Sequence, residues 1–303
     1  MPTDFAGAAL VARGSAILLA NGYGKLAGTP LRSDSRFWIA SAGKQFTAAA
    51  IMRLVETGKV GLDDPLRRFF PRAPSDKAAI TVRQLLSHSS GFGQSYVSEE
   101  RRARAQAVEA MLADPLKGPP GSGFRYSNTN IQLAAAIVEI VSGQSYADFV
   151  QRQLWHRAGL RSTGFAGSAG AARVVAIKGE LPARLKRSYW GEQGIYSSAT
   201  DLYRWYRALA TGRVLRPASV QTMFAPATKI GEGYATLGWF RGRTERGNDY
   251  IFVRGNEDFG ANSVFYAYPK QHIVIVILSH AGDQGDLSWS RTVLQSLQSQ
   301  LGL

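Results

Sequence analysis

The segment Phe37-Trp-Ile-Ala-Ser41-Ala-Gly-Lys44 joins a short apolar run to a strongly helical stretch. Apolar residues recur at helical spacing from 41 to 57, and Gly58 follows as a C-cap. Ser41 and Lys44 are three residues apart, so on a helix the hydroxyl and the amine lie on one face. The segment therefore places a hydroxyl and an amine side by side at the junction between a predicted strand and a predicted helix.

A serine becomes a strong nucleophile only when a base takes its proton, and a partly desolvated lysine such as Lys44 can supply or organise that base. The N-terminus of the helix adds a positive dipole and N–H groups that stabilise a developing oxyanion. The simpler interpretation is an N-capping serine followed by an exposed lysine, which is common at helix starts. The pair alone does not decide between the two interpretations.

Strands are predicted near both ends of the chain. Two apolar runs, at 7–12 and 15–21, are separated by Arg13-Gly14, which is typical of a hairpin turn. After Gly233, further strands are predicted at 235–240, 250–254, 263–268 and 272–279, and a closing helix at 288–301.

The middle of the chain reads as helices and loops. Helices are predicted to begin at Thr81 and Ser198 and to span 132–141 and 146–155. Strands at both ends with helices between them predict an α+β fold, not alternating βαβ units. We expect one domain over 1–303, with an antiparallel sheet lobe from 1–61 and 228–303 and an inserted helical lobe at 62–227.

The composition excludes several kinds of chemistry. The 303 residues include no cysteine and four histidines, none of them spaced like a zinc motif, so we expect no metal site. The net charge is +14, but the basic residues are scattered and do not interleave with aromatic residues, so no nucleic-acid partner is expected. The chemistry must rest on Ser, Lys, Tyr, Arg and carboxylates.

The sequence also bears on location. No segment reaches the roughly 18 apolar residues of a membrane helix, so no integral membrane segment is expected. Residues 1–7 lack the basic start and apolar run of a signal peptide. This predicts a cytoplasmic protein, unless a leader has been removed; the oligomeric state is left open.

A second chemical element is Tyr126-Ser-Asn128, which follows a Pro-Pro-Gly turn and precedes a predicted helix. A lysine ammonium favours the phenolate form of a neighbouring tyrosine, which can then take the proton of Ser41 and later protonate a leaving group. Asn128 supplies an amide suited to holding a substrate carbonyl. The alternative is a half-buried tyrosine ring beside an asparagine helix cap.

With Ser41, Lys44 and Tyr126 identified, residues 37–92 resemble the serine beta-lactamase and penicillin-binding-protein superfamily. The sequence of this stretch is FWIASAGKQFTAAAIMRLVETGKVGLDDPLRRFFPRAPSDKAAITVRQLLSHSSGF. It is most similar to the class C beta-lactamase-like branch, which includes esterases, D-amino-acid amidases and peptidases. The resemblance runs from about Phe5 to the C-terminus. Further segments that fit in order are PG at 120–121, YSNTN at 126–130, GQSY at 143–146, GLRST at 159–163 and GIYSSATDL at 194–202.

The resemblance implies a beta-lactamase/transpeptidase-like fold and a set of roles. Ser41 is implied as the acyl-forming nucleophile, Lys44 and Tyr126 as the acid/base pair, and Asn128 as a substrate-positioning group. It also implies an oxyanion hole made by the Ser41 N–H and a second N–H on a late strand. Gln94 is predicted to reach the acyl side chain of the substrate. No metal or organic cofactor is implied.

The sequence departs from the family at the third motif, where the family carries Lys-Thr-Gly or His-x-Gly on an edge strand. Counting along the late strands places Arg254-Gly255-Asn256 there, and a shift of one residue places Val253-Arg254-Gly255 there. In both registers Arg254 offers a positive charge to a substrate carboxylate or oxyanion, and Glu257 or Asn256 donates the second oxyanion N–H. The departure argues against beta-lactam turnover more than against acyl-enzyme chemistry.

We therefore expect a serine hydrolase that cleaves a small-molecule ester, amide or beta-lactam through an acyl-enzyme on Ser41. Esterase activity is favoured, because esters need less help for the leaving group. Two alternatives stay open. One is a penicillin-binding, D-amino-acid peptidase or sensor module that is acylated with little turnover, and the other is a basic nucleic-acid- or surface-binding protein with a vestigial site. His88 is interpreted as loop structure, and no Gly-x-Ser-x-Gly supports a Ser-His-Asp triad.

Overall fold

The computed structural model describes residues 5–26, 28–95, 103–174, 191, 194–256, 260–280 and 288–303. Its strands are β1 (Gly7–Arg13), β2 (Ala16–Tyr23), β3 (Lys25–Leu26), β4 (Thr29–Pro30), β5 (Phe37–Trp38), β6 (Gly164–Phe165), β7 (Ile195–Ser197), β8 (Thr228–Ile230), β9 (Gly233–Ala235), β10 (Phe240–Arg243), β11 (Asp249–Asn256), β12 (Asn262–Tyr268) and β13 (Ile273–Ser279). Both chain ends form one eight-stranded antiparallel sheet in the order β2-β1-β13-β12-β11-β10-β9-β8, and β5-β7-β6 form a small second sheet.

Most helices lie between the two groups of strands. The helices between them are α1 (Lys44–Glu56), α2 (Val82–Leu86), α3 (Arg104–Ala113), α4 (Asn128–Ser142), α5 (Tyr146–Val150), α6 (His156–Ala158), α7 (Ala199–Ala210) and α8 (Pro217–Phe224), with a π-helical turn at Gln151–Trp155. Helix α9 (Ser288–Gln300) follows the last strand. Within the described ranges, no single helix is long and apolar enough to span a membrane; only the bent pair Asn128–Ser142 and Tyr146–Ala158 meets the length and composition together.

Helices cover both faces of the main sheet, which explains why β12 and β13 are buried along their whole length. On the inner face, Phe265 and Val276 join the large apolar core that includes α1 and α7. On the outer face, Tyr266 and Ile275 pack in a second cluster with Val293 of α9. Strands buried on both sides read as continuous apolar runs, which is how β13 appears in the sequence.

Two predicted helix starts have the caps that the sequence suggested. The hydroxyl of Thr81 accepts a hydrogen bond from the Gln84 N–H, and the Gln84 side chain accepts one from the Thr81 N–H, which makes a complete capping box. The hydroxyl of Ser198 accepts from the Asp201 N–H at the start of α7. The α+β class and its antiparallel sheet from both chain ends are confirmed.

Two details of the predicted fold are wrong. The run 235–240 is not one strand but the turn between β9 and β10, in which the Thr236 N–H donates to the Trp239 carbonyl and Gly238 has φ +72°. This turn inserts Leu237 and Trp239 into the core, so its apolar residues mimic a strand. The predicted helix at 146–155, by contrast, is helical along its whole length, as α5 followed by the π-helical turn. In all, the C-terminal part supplies six strands where four were predicted.

Candidate active site

Ser41 lies on a 3₁₀ turn between β5 and α1, so the α-helix itself begins at Lys44, not at Ser41 as predicted. The preceding residue, Ala40, has φ +48°, a conformation that residues other than glycine rarely adopt. The carbonyl of Ile39 accepts a hydrogen bond from Ser263 Oγ of β12 at 2.7 Å. The sheet therefore anchors the strained turn that presents the serine.

The hydroxyl of Ser41 is contacted by two acid/base groups at once. Lys44 Nζ donates to Ser41 Oγ at 2.8 Å, and the Tyr126 hydroxyl donates to the same oxygen at 2.8 Å. Lys44 is buried, with 4% of its surface exposed, and its Nζ lies 5.1 Å from the centroid of the Tyr126 ring. A serine between a lysine and a tyrosine is an arrangement suited to nucleophilic catalysis.

Tyr126 is held in this position by His88. The two rings stack with centroids 4.7 Å apart. His88 Nδ1 faces the Ser127 N–H at 3.3 Å and the Asn130 amide nitrogen at 3.2 Å, so it acts as an acceptor. Burial, and secondly the charge of Lys44, lower the pKa of His88 to about 3. His88 is therefore a neutral support for Tyr126, a role that its sequence context did not indicate.

Asn128 and Gln94 meet at the first turn of α4. Gln94 Oε1 accepts a hydrogen bond from the Asn128 N–H at 2.9 Å, so this oxygen holds the helix start rather than pointing at a substrate. Asn128 Oδ1 is buried and has no hydrogen-bond partner within the described part of the chain. Because buried polar atoms are nearly always paired, this oxygen is an acceptor suited to a substrate N–H or O–H.

The third motif meets the nucleophile at Gly255. A Cβ there would lie 2.2 Å from the Ile39 carbonyl oxygen and 2.9 Å from Ala40 Cβ, so only glycine fits against the turn that carries Ser41. Strand residues alternate between faces, so Val253 shares the inner face with Gly255. Of the two predicted registers, Val253-Arg254-Gly255 is therefore the better fit. It places the glycine of the motif where β11 contacts the turn that carries Ser41.

Arg254 was predicted to offer its positive charge to a substrate carboxylate or oxyanion, but its side chain lies on the other face of the strand from Gly255. Its guanidinium lies over the Phe252 and Tyr266 rings, at 5.1 and 5.3 Å from their centroids, and donates to the Tyr266 hydroxyl. Tyr266 belongs to the outer-face cluster packed against α9. Because alternate residues of β11 point to opposite faces, Arg254 points away from the Ser41 turn and does not offer its charge to the nucleophile.

The remaining predicted residues lie at the end of β11. Asn256 is the last residue of the strand, directly after Gly255, and its side-chain Oδ1 is buried without a partner among the residues described. Glu257 lies outside the described residues. The oxyanion N–H groups, of Ser41 and of Asn256 or Glu257, stay predictions. No cluster of three metal-ligating side chains occurs in the described ranges.

The fold and the site define a class: an α+β protein with a serine, a lysine and a tyrosine at the junction of its sheet and its helices. The chain belongs to the beta-lactamase family, whose model matches residues 3–297. The resemblance to the serine beta-lactamase and penicillin-binding-protein superfamily is therefore confirmed.

Three similar proteins illustrate the family. A penicillin-binding protein of Bacillus subtilis (strain 168) is 30% identical over 260 residues, which cover 74% of this chain and 56% of that protein. The structure of a penicillin-binding protein from Bacillus halodurans superposes with a TM-score of 0.79 at 24% identity, covering 97% and 96% of the two chains. The D-amino acid amidase from Ochrobactrum anthropi SV3 superposes with a TM-score of 0.81 at 22% identity, covering 98% and 95%. The chain thus spans little more than half of the curated relative's length.

Proposed function

We propose that this protein hydrolyses carboxylic esters and amides by transferring the acyl group to Ser41, with esters as the preferred substrates. One observation carries the proposal: Ser41 Oγ is within 2.8 Å of both Lys44 Nζ and the Tyr126 hydroxyl. Two groups that can exchange a proton with one hydroxyl provide the general base for attack and the general acid for departure.

The proton balance follows from this geometry. The Lys44–Tyr126 pair acts in the form that has lost one proton. It takes the proton of Ser41 while Ser41 Oγ attacks the substrate carbonyl. A tetrahedral oxyanion forms, and its collapse breaks the bond to the leaving group, which receives the proton through Tyr126. Water, deprotonated by the same pair, then attacks the acyl-enzyme, and Ser41 regains its proton as the acid is released.

The side chains of β11 support a preference for esters. Val253 and Gly255 face the inner side, whereas the charge of Arg254 lies on the outer side against Tyr266. This strand therefore offers no cation to a substrate carboxylate, the group that a lysine in the third motif would bind. An alkoxide is also a better leaving group than an amine, so an ester tolerates the altered motif better than an amide does.

The second candidate is acylation by D-amino-acid amides or peptides, with slow release. The relatives favour it: the similar Bacillus proteins are penicillin-binding proteins, and the Ochrobactrum structure is a D-amino acid amidase. The buried, unpaired Asn128 Oδ1 supports it as well, because an α-amino group or amide N–H is the donor that this oxygen lacks.

Steady-state kinetics on three substrates tests the proposal. The substrates are p-nitrophenyl acetate, D-phenylalanine amide and a chromogenic cephalosporin, each with wild type, Ser41→Ala and Tyr126→Phe. We expect fast turnover of the ester only, and a loss of roughly 10²–10⁴-fold in both variants. Release of about one equivalent of ammonia per enzyme from the amide, followed by slow turnover, would favour the second candidate if the ester is also turned over slowly. Ester turnover that survives Ser41→Ala would refute both candidates.

A further inference from the structure

The turn between β9 and β10, residues 236–239, is buried in the core. The Thr236 N–H donates to the Trp239 carbonyl at 2.9 Å, and Gly238 has φ +72°. The side chains of Leu237 and Trp239 are both buried, with 1% of each residue exposed. Because protein interiors are close-packed, such a turn cannot shift without disturbing the elements that it contacts.

Gly238 packs against the first turn of α1. A Cβ at position 238 would lie 2.4 Å from Ala48 Cβ and 3.3 Å from the carbonyl oxygen of Lys44. Carbon atoms in contact lie about 3.5–4.0 Å apart, so a side chain at 238 would push the turn and the helix apart by about 1 Å. The glycine therefore allows a close approach to the helix that carries Lys44.

The same glycine is hydrogen-bonded to α2. Its N–H donates to the carbonyl of Leu86, the last residue of that helix, at 2.9 Å. His88, two residues further along the chain, stacks on Tyr126. Gly238 is therefore held between α1, which begins at Lys44, and the end of α2, which leads to the residue that supports the tyrosine.

Other contacts fix the turn in place. The Leu237 N–H donates to the carbonyl of Met223 in α8 at 3.0 Å. The Trp239 ring contacts Phe224 of α8 at 5.2 Å and Phe265 of β12 at 5.5 Å between centroids. Because these packed groups resist a retreat of the turn, an added side chain at position 238 displaces α1 and α2 relative to each other.

We infer that Gly238 is a positioning residue, which sets the distance between the Tyr126 hydroxyl and Ser41. Ser41 and Lys44 lie at the start of α1, whereas Tyr126 rests on the histidine that follows α2. The Tyr126–Ser41 hydrogen bond is 2.8 Å long, and an increase of about 1 Å breaks it. The inference rests on the proposed hydrolysis at Ser41 and adds a residue to that site.

The reaction of Ser41 with a fluorophosphonate probe tests this role. Ser41 Oγ bonds to phosphorus, fluoride leaves, and the serine proton passes to the Lys44–Tyr126 pair. Intact mass spectrometry over time gives a rate constant that is independent of the folded fraction, which the end point reports. In Gly238→Ala we expect the rate constant to fall about 10–100-fold, because the acid/base pair is misplaced by about 1 Å. A glycine needed for folding alone would change only the end point and the Tm.

Two further variants separate the contact from backbone strain. Gly247 has φ +81° and nothing within 4 Å of an added Cβ, so Gly247→Ala carries the strain without the contact. Its rate constant should equal that of wild type. Ala48→Gly removes the atom that the new methyl group would meet. In that background, Gly238→Ala should lower the rate constant by less than about threefold.

Two results would overturn the positioning role. One is a wild-type rate constant in Gly238→Ala, and the other is a decrease that persists undiminished in the Ala48→Gly background. If Gly238→Ala does not fold, Ala48→Val enlarges the same contact from the α1 side and should show the same decrease. A wild-type rate constant in Ala48→Val would then overturn the role. Failure of the proposed hydrolysis is distinct, because wild type itself then forms no adduct on Ser41.

Discussion

The rings of His88 and Tyr126 lie face to face, 4.7 Å between centroids and 26° apart, so a histidine outside the reacting groups sets the position of the tyrosine. We predict that His88→Ala lowers kcat/KM for p-nitrophenyl acetate by about 10–100-fold, because the Tyr126 hydroxyl loses its fixed distance to Ser41. His88→Phe restores the stacking face and should recover part of that rate. Equal rates in the two variants would mean that stacking is unimportant.

The same histidine should make stability depend on pH. Its pKa is about 3 in the folded protein and 6.5 in an unfolded chain, so the unfolded state binds more protons between these values. Stability therefore falls as pH falls through this window, and His88 contributes about 2 kcal/mol of the loss between pH 7 and pH 5. Urea unfolding at pH 7 and pH 5 measures this change in the free energy of unfolding. His88→Phe should lose less stability than wild type by this amount, and identical losses would refute the assignment.

Gly255 should tolerate no side chain. A Cβ 2.2 Å from the Ile39 carbonyl must push β11 and the Ser41 turn apart, so Gly255→Ala should cost about 1–3 kcal/mol and most of the activity. Gly118→Ala is the matched control, because its nearest neighbours lie at ordinary contact distances of 3.7 Å or more. Thermal unfolding and ester hydrolysis of both variants check this. A fully active Gly255→Ala would contradict the close approach.

Arg254 should not be needed for a substrate's negative charge. Its guanidinium stacks on Phe252 and Tyr266 on the outer face, so Arg254→Met should change KM for the acetate ester and for a carboxylate-bearing ester by a similar, small factor. The expected effect is a stability loss of about 1 kcal/mol from the lost cation–π contacts. A selective rise in KM for the carboxylate-bearing ester would place the side chain in the active site instead.

The sequence predictions succeeded where a contact depends on residues close together in the chain, and failed where it depends on the pairing of distant strands. Ser41 and Lys44 were expected to meet because three residues on a helical turn share a face, and the structure brings them together with Tyr126. The face to which Arg254 points depends on the pairing of β11 with β12, a long-range register that spacing along one strand does not contain.

One wrong prediction and one unforeseen role have similar causes. The apolar run 235–240 matched a strand because its residues are buried, but Gly238 turns the chain back and sends them into the core. The stacking of His88 on Tyr126 depends on its φ of +55°, a conformation that cannot be read from the residue itself. The apolar run at 235–240 indicated burial, whereas the backbone path at both places could not be predicted.

The most direct test of acyl transfer to Ser41 is peptide mass spectrometry after acid quenching of the enzyme during turnover of p-nitrophenyl acetate. We predict one acetyl group on the peptide that contains Ser41 in wild type, and none on that peptide in Ser41→Ala. Acetylation of a different residue, or steady release of p-nitrophenol by Ser41→Ala at the wild-type rate, would contradict the proposed mechanism.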